Sequence, residues 1–290
     1  MPFTSLMNTA PKTIVASACS AAVLLASYAS AATTSMNSGS LGSAADGVNS
    51  DGVVLGVPGP LAAGGDVAAG YSGGERTSIP YLASLNPSSD SPFTIEFWAR
   101  PSASDGDDAP LSNRWATGDR SGWVFFQRGE SEGWNFRMYN GEGGGLAWDL
   151  TGGTSTLDAY SHVVVTWTGS AAVLYVNGML ADDTNAPGAT GIYNPNSAIN
   201  SPVFSIGANA DGGSPSNAFI DEVAFYPSAL TADQIAAHYS AAGSPVAGFY
   251  SALVLADGAS LYLQNIPEPS AALLIAVGAL AGVARRRRTI

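Results

Sequence analysis

Between an apolar leader and an arginine-ended tail this chain has neither lysine nor cysteine: the single Lys12 and the single Cys19 both fall within the first 31 of its 290 residues. A mature chain without cysteine has no disulfide, no zinc–thiolate site and no cysteine nucleophile. Its stability must come from the core alone, which a domain near 200 residues can supply. Basic residues of any kind are scarce. Six arginines face 22 carboxylates between residues 32 and 266, a net charge of −16 that the whole-chain value of −12 conceals because four arginines end the sequence. A surface this acidic repels phosphate backbones and anionic lipid, which argues against nucleic acid as a partner; solubility or cation binding suits it better. Only two histidines occur, His162 and His238. No Ser-His-Asp or metal-ligand spacing surrounds either, so structural roles are expected for both.

What is abundant points to β-structure. The chain holds 34 Gly and 17 Pro with 46% hydrophobic residues, a turn-rich composition that still has enough apolar side chains for a core. Its organising stretch is Ser161–Gly178, where two alternating apolar runs meet across Thr168-Gly169-Ser170 and stop at Asn177-Gly178. Val163, Val165 and Trp167 share one face, and both faces are largely apolar, the pattern of a β-hairpin inside a sandwich. Further strands are expected at Val53–Val57, Val67–Tyr71, Thr77–Leu82, Pro92–Arg100, Leu111–Ala116, Gly122–Arg128, Trp134–Asn140, Leu146–Leu150, Val203–Gly207 and Phe219–Tyr226. Residues 181–202 read as a long loop. Thr231 opens a short helix as its N-cap.

Three segments, FTIEFWARP (Phe93–Pro101), HVVVTWTGSAAVLYVNG (His162–Gly178) and IDEVAFYPSALTADQIAAHY (Ile220–Tyr239), together resemble a laminin-G-like, concanavalin A-like jelly roll domain. The resemblance implies an all-β fold, two antiparallel sheets face to face with a short C-terminal helix, in secreted or surface proteins that mostly bind glycans or proteins, often with calcium. Two departures accompany it. Ser72-Gly73-Gly74 carries serine where many relatives have an acid, and the expected opening aromatic strand is missing. Residues 246–264 read instead as a helix and strand, so Ser260–Gln264 is expected to fold back and fill the gap.

The ends read as addresses. Residues 1–31 form a signal peptide with an Ala29-Ser30-Ala31 site for signal peptidase. Pro267-Glu268-Pro269, an apolar Ser270–Ala284 and the cluster Arg285, Arg286, Arg287 and Arg288 are similar to a PEP-CTERM protein-sorting signal. The apolar part suits transient insertion in the inner membrane with the arginines cytoplasmic. The resemblance implies cleavage by an exosortase-type protease and delivery to the envelope, surface or extracellular matrix of a Gram-negative-type bacterium. The expected organisation is therefore signal peptide 1–31, flexible Ser/Gly-rich segment 32–52, jelly roll 53–242, returning helix and strand 243–266, and sorting tail 267–290.

No catalyst is evident, and the chain is not expected to be an enzyme. Glycosidases need two carboxylates converging across a cleft. Here Asp221 and Glu222 are adjacent, so alternation places them on opposite faces, and Glu96 is expected to hydrogen-bond within the sheet or to loop backbone. For calcium, a hard cation that takes carboxylates and carbonyls, the candidates are Asp66, Asp211 and Asp221. For a glycan they are Trp123, Arg128, Arg137 and Tyr139, which offer ring faces and hydrogen-bond donors; alternation equally suits Trp123 to the core. The leading expectation is a non-catalytic binding or adhesion module for extracellular polysaccharide or an envelope protein. The alternatives are a matrix component without specific ligand and a glycoside hydrolase or lyase.

Overall fold

The computed structural model describes residues 34–103, 106–200 and 202–264. The leader with Ala29 and Ala31, and the tail with Pro267, Glu268, Pro269 and Arg285–Arg288, lie outside the described residues. In chain order the strands are β1 (Thr34–Ser35), β2 (Gly47–Asn49), β3 (Val54–Pro58), β4 (Val67–Ser72), β5 (Thr77–Ile79), β6 (Phe93–Pro101), β7 (Leu111–Ser112) and β8 (Trp123–Gln127). They continue with β9 (Trp134–Tyr139), β10 (Leu146–Gly152), β11 (Ser161–Trp167), β12 (Ala172–Val176), β13 (Met179–Asp182), β14 (Phe204–Ile206) and β15 (Asn217–Tyr226). Two helices, α1 (Ala232–Ala242) and α2 (Phe249–Ala256), precede β16 (Leu261–Leu263).

The strands form two antiparallel sheets. The first runs β1-β2-β5-β14-β7-β8-β9-β10 and the second β13-β12-β11-β6-β15-β4-β3, with β16 added to β15. Alternation along each strand decides what meets between them. Phe93, Ile95 and Phe97 of β6, Val163, Val165 and Trp167 of β11, and Ile220, Val223 and Phe225 of β15 form one cluster with Trp123 and Phe125 of β8 and Trp134, Phe136 and Met138 of β9. The rings interlock edge to face, Phe97 on Phe125 at 5.0 Å and Trp123 on Phe204 at 5.1 Å between centres, an arrangement that adds to plain burial.

The outer face of the second sheet carries a separate core under the helices. Trp98, Val164, Ala224 and Tyr226 pack there with Ile235, Tyr250 and Val254. Helix α1 begins in a capping box, Thr231 Oγ1 accepting from the Gln234 amide while the Gln234 side chain accepts from the Thr231 amide, which satisfies two otherwise orphaned donors.

Residues 34–49, expected to be loose, instead form β1, a short 3₁₀ turn at Gly42–Ala45 and β2. One side chain explains much of this order. Asn37 Oδ1 accepts from the Gly39 and Tyr262 amides, and its Nδ2 donates to the Gly42 and Ser260 carbonyls. Gly39 passes so close to the Ser260 carbonyl that a Cβ would collide with it. β16 pairs with the far half of β15, Val223 to Phe225 against Leu263 to Leu261, so the N-terminal segment and the C-terminal strand hold each other. Substituting Asn37→Ala is expected to lower stability by about 2 kcal/mol, read as a shift in urea midpoint; a change below about 0.5 kcal/mol would show that the segment docks by other means.

Candidate functional site

The adjacent acids of β15 do not alternate. Against β6, Ile220 pairs Ala99 and Asp221 pairs Trp98, but the next paired residue is Ala224 opposite Glu96. One extra residue is inserted, and Glu222 takes a left-handed conformation at φ 53° to accommodate it, the geometry of a β-bulge. The insertion keeps Val223 and Phe225 in the core and turns Glu222 outward beside Asp221. The expectation that Asp221 and Glu222 point apart is therefore corrected. Carboxylate oxygens of Asp66, Asp221 and Glu222 all lie within 4.8 Å of one another.

Asp66 enters this cluster from the turn before β4, its Oδ2 accepting from the Leu61 amide at 2.8 Å. Gly59 lies over the Asp66 and Asp221 carboxylates where any Cβ would strike them. Glu222 accepts a hydrogen bond from the Tyr262 hydroxyl. Burial, reinforced by the Asp66 and Glu96 charges, pushes Glu222 up to about 8 against the pull of that bond, and burial raises Asp66 as well. Three crowded carboxylates make a hard, anionic oxygen set that suits calcium in donor type. Asp211, the remaining calcium candidate, is not part of it. It lies in an exposed turn where its Oδ1 accepts from the Gly213 amide at 2.9 Å, bound by its own loop as Asp in such turns commonly is.

Glu96 anchors a second buried group on the same outer face. Its Oε1 accepts from His162 Nε2 at 2.7 Å and Tyr250 Oη at 2.7 Å, and its Oε2 from Tyr226 Oη at 2.7 Å and His238 Nδ1 at 2.9 Å. His238 Nε2 meets Asp257 Oδ2 at 2.9 Å. A ring with a carboxylate at each nitrogen satisfies both only as imidazolium. Burial works against that charge, but Glu96 and then Asp257 outweigh it and raise His238. Burial would likewise raise Glu96, yet the hydrogen bonds and charges of His162 and His238 hold it well below the ordinary carboxylate range. Glu96, His162 and His238 are each 0% exposed, so this acid–base constellation is sealed beneath α1 and α2.

The glycan candidates divide between core and surface. Trp123 is fully buried between the sheets, and an enclosed ring presents no face to a sugar; the expectation that it contributes to a glycan site is corrected. Arg128 and Arg137 belong to the outer side of the first sheet, together with Arg114 and Arg120, which the sequence reading left out. Tyr139 points the same way but is only 2% exposed, packed with Val124 and Phe126, so the expectation that its ring faces a sugar is corrected as well. Arg128 and Arg137 lie 5.7 and 5.6 Å from the Phe126 ring centre, while Arg114 and Arg120 lie 5.9 and 5.8 Å from that of Tyr139. Cations over ring faces are favourable contacts. Arg128 also pairs with Asp107 at 2.9 Å and Arg137 with Asp149 at 3.3 Å.

Residues 72–236, more than half the chain, match the model of the concanavalin A-like lectin/glucanases superfamily, and the chain belongs to that superfamily. Residues 265–288 match the PEP-CTERM protein-sorting motif, which implies export, association with the bacterial cell envelope and processing by the exosortase system. No curated protein matches the sequence. Solved structures of similar fold include the binding domain of botulinum neurotoxin serotype G, at 12% identity and TM-score 0.50, covering 71% of this chain and 50% of that one. A Trypanosoma rangeli sialidase in complex with the inhibitor DANA gives 13% and 0.49, covering 69% of this chain and 30% of that one. A SAP-like pentraxin from Limulus polyphemus gives 15% and 0.45, covering 63% and 85%. This chain thus spans about a third of the sialidase and half of the toxin domain, and the likeness to the toxin domain is one of fold alone. No helix among the described residues is long and apolar enough to cross a membrane.

Two substitutions test the buried groups. Glu96→Ala strands two imidazoles and two hydroxyls and is expected to cost about 3–5 kcal/mol in urea denaturation; a loss under about 1 kcal/mol would contradict the staple. For Glu222, a folded pKa raised from 4.5 to about 8 means that the folded state binds the extra proton, so stability falls as pH rises through that window. In chelator Glu222→Gln should equal the parent near pH 4 and exceed it by about 4 kcal/mol at pH 8. Parallel pH profiles for the two proteins would contradict the assignment.

Proposed function

We propose that this chain is an exported, non-catalytic module that binds extracellular polysaccharide at the cell envelope. The observation that carries the reading is the difference between the two outer faces of the sandwich. The second sheet's outer face is occupied by α1 and α2, whereas the first sheet's bears four half-buried arginines over Phe126 and Tyr139. Guanidinium groups held in place by aromatic rings are pre-oriented donors for sugar hydroxyls and carboxylates. The superfamily joins lectins with glucanases, so sugar binding and sugar cleavage are the two activities to weigh.

The local chemistry favours binding. A glycosidase needs an acid and a second carboxylate across its substrate. On the arginine-bearing face Asp149 is held by Arg137 and by the Asn135 side-chain amide at 2.6 Å, and Glu96 is closed off beneath the helices. In the same reading, Asp66, Asp221 and Glu222 hold a calcium ion that supports the β15 bulge rather than touching sugar. Signal peptidase and an exosortase-type protease release the domain by cutting after Ala31 and near Pro267–Pro269.

The test is retention of the full chain in detergent on a panel of immobilised polysaccharides, including the producer's own, with calcium and with chelator. Saturable binding without release of reducing ends is expected. Release of reducing ends would replace binding by hydrolysis, and no retention would favour a matrix component without ligand. Calcium should raise the thermal midpoint by about 5 °C or more at pH 7.5, an effect that Asp221→Asn abolishes; an equal rise in that variant would move the ion elsewhere.

A further inference from the structure

We infer that Arg114 and Arg120 form an acidic-sugar site, taking between them the carboxylate of a uronic acid residue in an extracellular polysaccharide. The inference rests on the polysaccharide-binding reading and specifies its ligand. Both arginines lie on the hairpin joining β7 to β8, whose arms meet at the Trp115–Ser121 bridge. From there both guanidinium groups reach the same ring, that of Tyr139, and Arg114 Nη1 donates to its hydroxyl at 3.3 Å. Two like charges sharing one ring repel each other, and an anion in contact with both would offset that repulsion.

Among the described residues no carboxylate supplies that anion. Arg128 and Arg137 on the same face each pair with an aspartate, but among the described residues neither Arg114 nor Arg120 meets a carboxylate within ion-pair distance. Asp119, next in sequence to Arg120, instead accepts from the Gly143 amide at 3.1 Å. What distinguishes Arg114 and Arg120 from Arg128 and Arg137 is a shared ring with no ion-paired acid among the described residues. A planar carboxylate matches the guanidinium fork and can accept from both residues at once. The negative charge of the remainder opposes a polyanion, screened by salt only beyond about 8 Å, so the two arginines must outweigh it locally.

The test is affinity of the full chain in detergent for polygalacturonate and for uncharged dextran. Polygalacturonate should bind at least about tenfold more tightly than dextran, and more weakly as salt rises from about 0.05 to about 0.5 M. Arg114→Gln/Arg120→Gln should lose about tenfold or more of that affinity, with Arg120→Gln alone losing part of it. Arg76→Gln, whose Nη1 donates to the Ala210 carbonyl away from this ring, should change nothing. Unchanged thermal midpoints establish that the variants fold. Polygalacturonate bound no better than dextran, or equal losses in Arg76→Gln, would overturn the site while leaving polysaccharide binding standing. Retention of neither polymer, nor of any other in the panel, would overturn both.

Discussion

β15 borders β6 along one side and divides its other side between β4 and β16, and the single residue inserted at Glu222 reconciles these neighbours. Without it, strict alternation would turn Glu222 and Ala224 toward the other sheet and push Val223 and Phe225 out of the core. With it, the two large side chains stay inside, and the strain of a left-handed glutamate sits beside two other acids. Such strain is retained where the surroundings over-determine it. Here they do: Tyr262 of β16 grips Glu222 from one side, and Asp66 crowds it from the other. The C-terminal strand, the bulge and the acid cluster are thus one arrangement, to which Asn37 adds the N-terminal segment.

The same outer face gains a second fixed point at Glu96. Its partners come from β11, β15, α1 and α2, so one carboxylate ties both helices to the sheet. A buried charge is costly unless fully hydrogen-bonded, and this one accepts at both oxygens. The residue types would suit acid–base chemistry, but their enclosure gives them the work of a staple. That leaves the outer side of the first sheet for contact with a ligand, where arginines cover Phe126 and Tyr139.

Much of the fold was legible in the sequence because burial is written as alternation. Phe93, Ile95 and Phe97, like Trp134, Phe136 and Met138, face the core as their spacing predicts, and Thr231 caps its helix. β7 proved shorter than its apolar run and β13 was not foreseen, since Met179 and Leu180 follow the Asn-Gly turn without alternation and remain largely exposed. The site was less legible. Ile220 to Val223 read as ordinary alternation because a glutamate in the left-handed region carries no local signal. Glu96 finds His162 and His238 across 66 and 142 residues, and only the lone acid in an apolar strand hinted at a partner. Asp66 and Asp221 were nameable as oxygen donors, whereas Asp211 differs from them only by where its loop lands. Arg114 and Arg120 flank a short bridged hairpin, and nothing in their spacing announces a shared ring.

The central claim is that ligand binds the outer face of the first sheet while the helix-covered face stays closed. Backbone hydrogen exchange of the full chain, with and without a retained polysaccharide, tests it most directly. Slower exchange across residues 113–139, with α1, α2 and β15 unchanged, is the predicted result. Slowing confined to the helices and β15, with the first sheet indifferent, would contradict the account.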